Sequence, residues 1–171
     1  MKKIMFNDRY GLTQAVLEGR KTMTRRQVPA NWRLGKSRYY IDEVVAVSQS
    51  YADCGNFPDF DVDEEGIPIM PRRSGFFNKM FVRADLMPHR IQITSVRVER
   101  LQDISDEDCL REGIRYIPEI NKYYFERTGR DEEFYFSTPR EAFAALIDKV
   151  SGRGTWESNT YVVVYGFELV K

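Results

Sequence analysis

The sequence predicts an α+β fold or a small mixed β-barrel with flanking helices, built as one domain over residues 1–171. Three observations lead there. The element order reads strand, helix, several strands, short helix, insertion, helix, strand. Helices do not alternate with every strand, which argues against a doubly wound sheet. The 171 residues suffice to bury a core without disulfide or metal staples.

Ile4-Met5-Phe6 reads as a short strand. Asn7 or Asp8 then caps a helix whose packed stripe is Leu12, Ala15 and Val16, and Gly19 stands at its C′ position. Val44-Val45-Ala46-Val47 is a buried strand, preceded by the loop-like Leu34-Gly35-Lys36-Ser37. Residues 52–80 form a long excursion, marked by Gly55, Pro58, Gly66, Pro68, Pro71 and Gly75. Arg90 to Leu101 is the clearest strand. Its apolar positions run Ile91, Ile93, then Val96, Val98, so the two-residue period slips at Thr94-Ser95 and a bulge or bend is expected there.

Ser105-Asp106-Glu107-Asp108 opens a short helix that stops at Gly113, with acids in the first turn suiting the helix dipole. Residues 115–136 suggest a hairpin insertion around Thr128-Gly129-Arg130-Asp131. Thr138-Pro139-Arg140-Glu141 supplies cap, N1 proline and capping-box glutamate for a helix buried through Phe143, Leu146, Ile147 and Val150. Gly152 or Gly154 ends it. Tyr161 to Leu169 is a central strand, with Tyr161, Val163, Tyr165, Phe167 and Leu169 on one face.

Composition excludes several classes. No apolar run is long enough for a membrane span, and no apolar region follows the basic N-terminus to make a signal peptide. Cys54 and Cys109 are far apart and in no metal spacing, which reads as reduced thiols in the cytoplasm. The formal net charge is zero, against broad coating of nucleic acid. The charge is nevertheless segregated. Gly19 to Ile41 holds seven basic residues and no acid, whereas Ala52 to Pro71 holds six acids and no base. One anion-seeking face is the inference.

Familiar catalytic patterns are missing. His89 is the only histidine, which excludes a two-histidine zinc site within the chain; a triad would depend on it alone, and no nucleophile elbow is present. Neither GxGxxG nor a Walker A pattern occurs, and no metal or cofactor is expected. What remains is Gly19-Arg20-Lys21-Thr22-Met23-Thr24-Arg25-Arg26, a basic, hydroxyl-rich segment directly after the first helix. Arginine can grip phosphate or carboxylate with two bonds, and threonine can donate or accept at a polar ligand edge. Trp32, Tyr39 and Tyr40 lie close by in sequence and offer stacking surfaces for bases.

The stretch Leu17-Glu18-Gly19-Arg20-Lys21-Thr22-Met23-Thr24-Arg25-Arg26 resembles the signature of the ASCH domain family, whose fold is PUA-like. The resemblance continues through Asp42-Glu43-Val44-Val45-Ala46-Val47, Met87-Pro88 and Ile91 to Gly113. Phe143 to Asp148 and Gly154-Thr155-Trp156-Glu157-Ser158-Asn159 are similar to the longer, phage- and prophage-associated branch. Most of the chain is covered, except the insertions near 52–80 and 115–136. Two departures stand out: Thr160-Tyr161-Val162-Val163 replaces a Pro-Trp-Val-Trp-like strand, and Ile147 stands where a tryptophan often precedes Asp148.

The resemblance implies a PUA-like mixed barrel and two kinds of function. One is a module binding RNA or a modified nucleoside, with Arg20, Thr22, Arg25 and Arg26 as ligand-binding residues. The other is an amidohydrolase that deacylates N4-acetylcytidine or a related small amide, with Lys21, Thr24 and Glu112 as the catalytic set. In that scheme Thr24 attacks the carbonyl and a neutral Lys21 takes its proton, while Glu112 orients Lys21 or donates to the leaving nitrogen. A third reading is a phage-derived structural or interaction protein, with protein partners held through the insertions.

Overall fold

The computed structural model describes residues 1–28, 32, 36–55, 61–62, 64–66, 68–69, 74–129 and 134–170. Strand β1 (Lys3–Ile4) sends the chain into the core. Asn7 caps a 3₁₀ turn over Asp8–Tyr10 rather than the helix itself, because Gly11 at φ +63° breaks the run. Helix α1 (Leu12–Leu17) follows, burying Leu12, Thr13, Ala15 and Val16. Gly19, at φ +73°, ends it as expected and turns the chain into β2 (Met23–Gln27). The basic segment is therefore half turn and half strand.

Strand β3 (Val44–Val47) has three of its four residues buried, matching its apolar run. Within the expected excursion lie α2 (Tyr51–Cys54) and the short antiparallel pair β4 (Asp61–Val62) and β5 (Pro68–Ile69). Pro58 and Pro71 in that excursion, and Leu34-Gly35 before β3, lie outside the described residues. Strand β6 (Arg90–Arg100) shifts register against its partner between Ile93 and Ser95, where the phase slip falls. Gly166 opposes Ser95 there, and a Cβ on it would stand 2.4 Å from the Ser95 hydroxyl oxygen.

Helix α3 (Asp106–Arg111) is capped by Ser105, which accepts from the Asp108 N–H at 3.1 Å. The hairpin β7 (Arg115–Ile117) and β8 (Lys122–Tyr124) turns at Pro118–Asn121, not around Thr128. Asn121 takes the positive φ that this turn needs. Thr128 instead donates to the Asp8 carbonyl, tacking the insertion onto the 3₁₀ turn, and Arg130 and Asp131 lie outside the described residues.

Helix α4 (Pro139–Ser151) begins at Thr138, whose hydroxyl accepts from the Glu141 N–H at 3.1 Å, and ends at Gly152. Replacing Thr138 with alanine should cost about 1 kcal/mol, read as a fall of roughly 2–4 °C in thermal melting. Helix α5 (Thr155–Ser158) leads into β9 (Tyr161–Val170). Residues Val162 to Phe167 of β9 are all buried, so both of its faces are covered there.

The main sheet runs β1-β3-β6-β9-β2, with β1 parallel to β3 and the other pairs antiparallel. The class is α+β. Its edge strands are β1 and β2, and among the described residues no backbone ladder joins them into a closed barrel. The sheet curls enough that the Arg26 side chain of β2 donates to the Met5 carbonyl, just past β1, at 2.5 Å. Helices α3 and α4 pack beside the sheet, and Phe143, Leu146, Ile104 and Cys109 join its apolar residues in one core. Among the described residues no helix is long and apolar enough to cross a membrane.

Candidate functional site

The geometry of the site starts at Gly19. Past it, the N–H groups of Arg20 and Lys21 both donate to the Ala15 carbonyl at 2.9 Å, which fixes the turn against α1. The Thr22 N–H donates to the Arg111 carbonyl at 3.0 Å, and the Thr22 carbonyl accepts from Phe167 of β9 at 2.9 Å. The first bond holds the C-terminal end of α3 against the start of β2, and the second ties β9 to the same residue. Lys21 and Glu112, 91 positions apart, meet as a consequence.

Lys21 Nζ donates to Glu112 Oε2 at 2.6 Å, to the Glu112 carbonyl at 2.9 Å and to the Met23 carbonyl at 2.7 Å. Three acceptors match the three donors of an ammonium, so Lys21 is fully bonded here. It also caps α3, placing positive charge where the helix carbonyls lack partners. Lys21 is 2% exposed and Glu112 5%. Burial pushes the Lys21 pKa below its ordinary value; the Glu112 carboxylate opposes this, and the Arg26 and Arg25 charges add to it.

Arg25 is held by three carboxylates. Its Nη1 reaches Glu112 Oε1 at 3.1 Å, and its Nη2 reaches Glu99 Oε1 at 2.5 Å and Asp108 Oδ2 at 3.1 Å. Desolvation works against its charge, but Glu112, Glu99 and Asp108 outweigh it and raise the Arg25 pKa. Arg97 joins from β6, to Asp108 at 2.7 Å and Glu99 at 3.2 Å. The result is a buried network in which each carboxylate serves two or more cations.

Beside this network opens a cavity of about 550 Å³. Lys21, Thr24, Arg25, Arg26 and Gln27 line it from the β2 segment, and Glu112 from the end of α3. Met5, Phe6 and Asn7 border it after β1, and Leu12 from α1. Phe143, Leu146, Ile147, Val150 and Ser151 make the α4 wall, with Arg38 at another side. Among the described residues the Thr24 hydroxyl makes no hydrogen bond, and neither Arg26 nor Arg38 pairs with a carboxylate. The Arg26 guanidinium stands 5.6 Å from the Phe6 ring centroid, and its Nε is buried without a partner. Burial pushes its pKa down.

Of the residues singled out in the sequence, Lys21, Thr24, Arg25, Arg26 and Glu112 border one cavity. Arg20 and Thr22 do not: Arg20 pairs with Glu18 at 2.7 Å, and Thr22 is tied by its backbone to α3 and β9. Arg25 borders the cavity with its terminal nitrogens already committed. Tyr39 offers no stacking face. It is 2% exposed, packs edge-on against Tyr165 and donates to the Lys3 carbonyl at 2.9 Å. Cys109 is buried, and burial pushes its thiol pKa up to about 12, which disfavours the nucleophilic thiolate. Among the described residues no group of histidine, cysteine and acid side chains is placed to hold a metal ion.

Sequence reasoning missed Glu99, Asp108 and Arg97 as partners of the site, and read the α4 stripe only as core. The basic run did contain Arg38, without marking it apart from its neighbours.

No family model and no curated protein matches the chain. Solved structures similar to it include the following two. An ASCH domain from Lactobacillus crispatus JV V101 matches 96% of this chain and 75% of its own length, at 14% identity and a TM-score of 0.40. A protein from Enterococcus faecalis V583, described under DUF984, matches 99% of this chain and 80% of its own, at 14% identity and a TM-score of 0.48.

Proposed function

We propose that the cavity binds a nucleoside, either a free modified nucleoside or one unit of an RNA chain. The observation that carries this reading is the division of labour within one cavity. Lys21 and Arg25 are matched by Glu112, Glu99 and Asp108, leaving the Thr24 hydroxyl uncommitted in a cavity that Phe143, Leu146 and Ile147 also line. A volume of about 550 Å³ suits a small ligand. An aromatic base lies against the apolar wall while its polar edge meets Thr24.

A second reading has its own support. Lys21 and Glu112 are 2.6 Å apart and border the cavity together with Thr24, the set that the ASCH resemblance implies for amide hydrolysis. Glu112 would accept a proton from the Lys21 ammonium, and the neutral amine would then take the Thr24 proton as its oxygen attacks the acyl carbon. Lys21 would return that proton to the leaving nitrogen, and water would release the acyl group from Thr24. Binding ranks first because no Lys21–Thr24 hydrogen bond is made and Lys21 is already saturated.

Calorimetric titration with cytidine, N4-acetylcytidine and a short single-stranded RNA tests the proposal. At least one should bind, and Thr24→Val should weaken it about fivefold to tenfold. Chromatography of the N4-acetylcytidine mixture reads the second possibility: cytidine release that Lys21→Ala and Thr24→Ala both abolish would make the chain an enzyme. If no ligand binds and none is turned over, both readings fail and the interaction-protein reading gains.

A further inference from the structure

A second cavity, of about 330 Å³, adjoins the first at the open seam between the sheet edges. Met5, Arg26, Gln27 and Arg38 line both. The balance of charge differs sharply between this shared wall and the rest of the site. Every other cation of the first cavity is matched, since Lys21 and Arg25 share Glu112 and Arg25 has Glu99 and Asp108 as well. The described lining of the second cavity contains no acidic residue. Arg26 and Arg38 thus present two positive charges with no carboxylate against them.

Arg26 carries an unsatisfied buried donor. Its Nη2 donates to the Met5 carbonyl at 2.5 Å, while its Nε is buried with no acceptor at all. A buried guanidinium donor without an acceptor is costly, and an anion at the seam would offset that cost. Arg38 is exposed at the same wall, its guanidinium 5.6 Å from the Tyr39 ring centroid and paired with no carboxylate among the described residues. Two arginines lining one shared wall match the several oxygens of a phosphate better than a single carboxylate edge.

We infer that the seam holding Arg26 and Arg38 is an anion subsite, and that the ligand is a phosphorylated nucleoside rather than a free one. The base occupies the larger cavity and its phosphate lies at the wall the two cavities share. The inference rests on the nucleoside reading for the base, but the anion subsite stands or falls separately. The phosphate belongs either to a mononucleotide or to the strand of an RNA.

The experiment compares cytidine, cytidine 5′-monophosphate, ribose 5-phosphate and a cytidine trinucleotide by calorimetry on the whole chain. Cytidine monophosphate should bind about tenfold or more tightly than cytidine, with the preference falling as salt rises. Arg38→Gln and Arg26→Gln should each reduce that ratio towards one. Arg38→Gln changes an exposed side chain, so it reads the site even if Arg26→Gln destabilises the fold. Equal affinity for cytidine and its monophosphate would overturn the subsite and leave the nucleoside reading intact. Ribose 5-phosphate binding that depends on Arg38, without any for cytidine, would keep the subsite and overturn the nucleoside reading. Tighter binding of the trinucleotide than of the monophosphate assigns the phosphate to an RNA strand; the reverse order assigns it to a mononucleotide. Silence from all four ligands overturns both.

Discussion

Glu112→Gln should destabilise the chain by about 3–5 kcal/mol, lowering its melting temperature by roughly 10 °C. The change is nearly isosteric, so the loss comes from charge rather than packing. Lys21 would remain buried as an ammonium with only two carbonyls and an amide oxygen around it, and Arg25 would lose one of three carboxylates. Adding Lys21→Met removes the stranded ammonium, so the double variant should be more stable than Glu112→Gln alone. Additive loss in the double variant would show that the pair is not coupled.

The same variant carries a pH signature. Burial lowers the Lys21 pKa in the folded chain, so between that value and the unfolded 10.5 the unfolded chain binds more protons. Stability from this residue therefore rises with pH across that window and is flat below it. Removing Glu112 deletes the influence that raises the Lys21 pKa, which widens the window downwards. The gap between the two proteins should narrow as melts move from about pH 7 towards about pH 10. A gap that stays constant would assign the loss to something other than the Lys21 charge.

Phe143→Ala should cost a further about 3–5 kcal/mol, independently of the ion network. Phe143 is 1% exposed, touches Trp156 edge-on at a centroid distance of 6.1 Å, and joins α4 to the sheet core. Because it also walls the cavity, its loss should enlarge the binding space as well as loosen the helix. Urea denaturation checks the first effect through a lower midpoint at unchanged slope. Phe143→Leu, which keeps most of the volume, should lose less than half as much.

Local chemistry made much of the fold legible. The slip of apolar phase at Thr94-Ser95 announced the register shift in β6, because side-chain facing in a strand is a two-residue rhythm that a bulge alone can reset. Ser105 and Thr138 announced their helices because an N-cap is a bond between neighbours in sequence. Strand β2 was harder to see. Met-Thr-Arg-Arg-Gln has no apolar alternation, and Arg25 is buried only because Glu99, Asp108 and Glu112 arrive from more than 70 positions away. No local pattern can carry that information. Asp108 read as a helix-dipole acid for the same reason, and Tyr39 as a stacking surface, since nothing near it in sequence foretold Tyr165 against its ring. Lys21, Thr24 and Glu112 were named through a resemblance of motifs, not through periodicity or spacing.

The strand order also dictates a schedule. Among the described residues strand β2 pairs with β9 alone, so during synthesis it has no sheet partner until residues near 161–170 follow it. Until then Lys21, Arg25 and Arg26 stay in water, where their charges are hydrated at no cost, and the chain has little reason to collapse around them. Closing so long a loop before any reward is gained is slow, which places assembly of the cavity at the end of folding. The polar character of β2 then has a second use. A waiting strand made of arginine and threonine is a poor template for aggregation, whereas an apolar one in its place would be exposed until β9 follows.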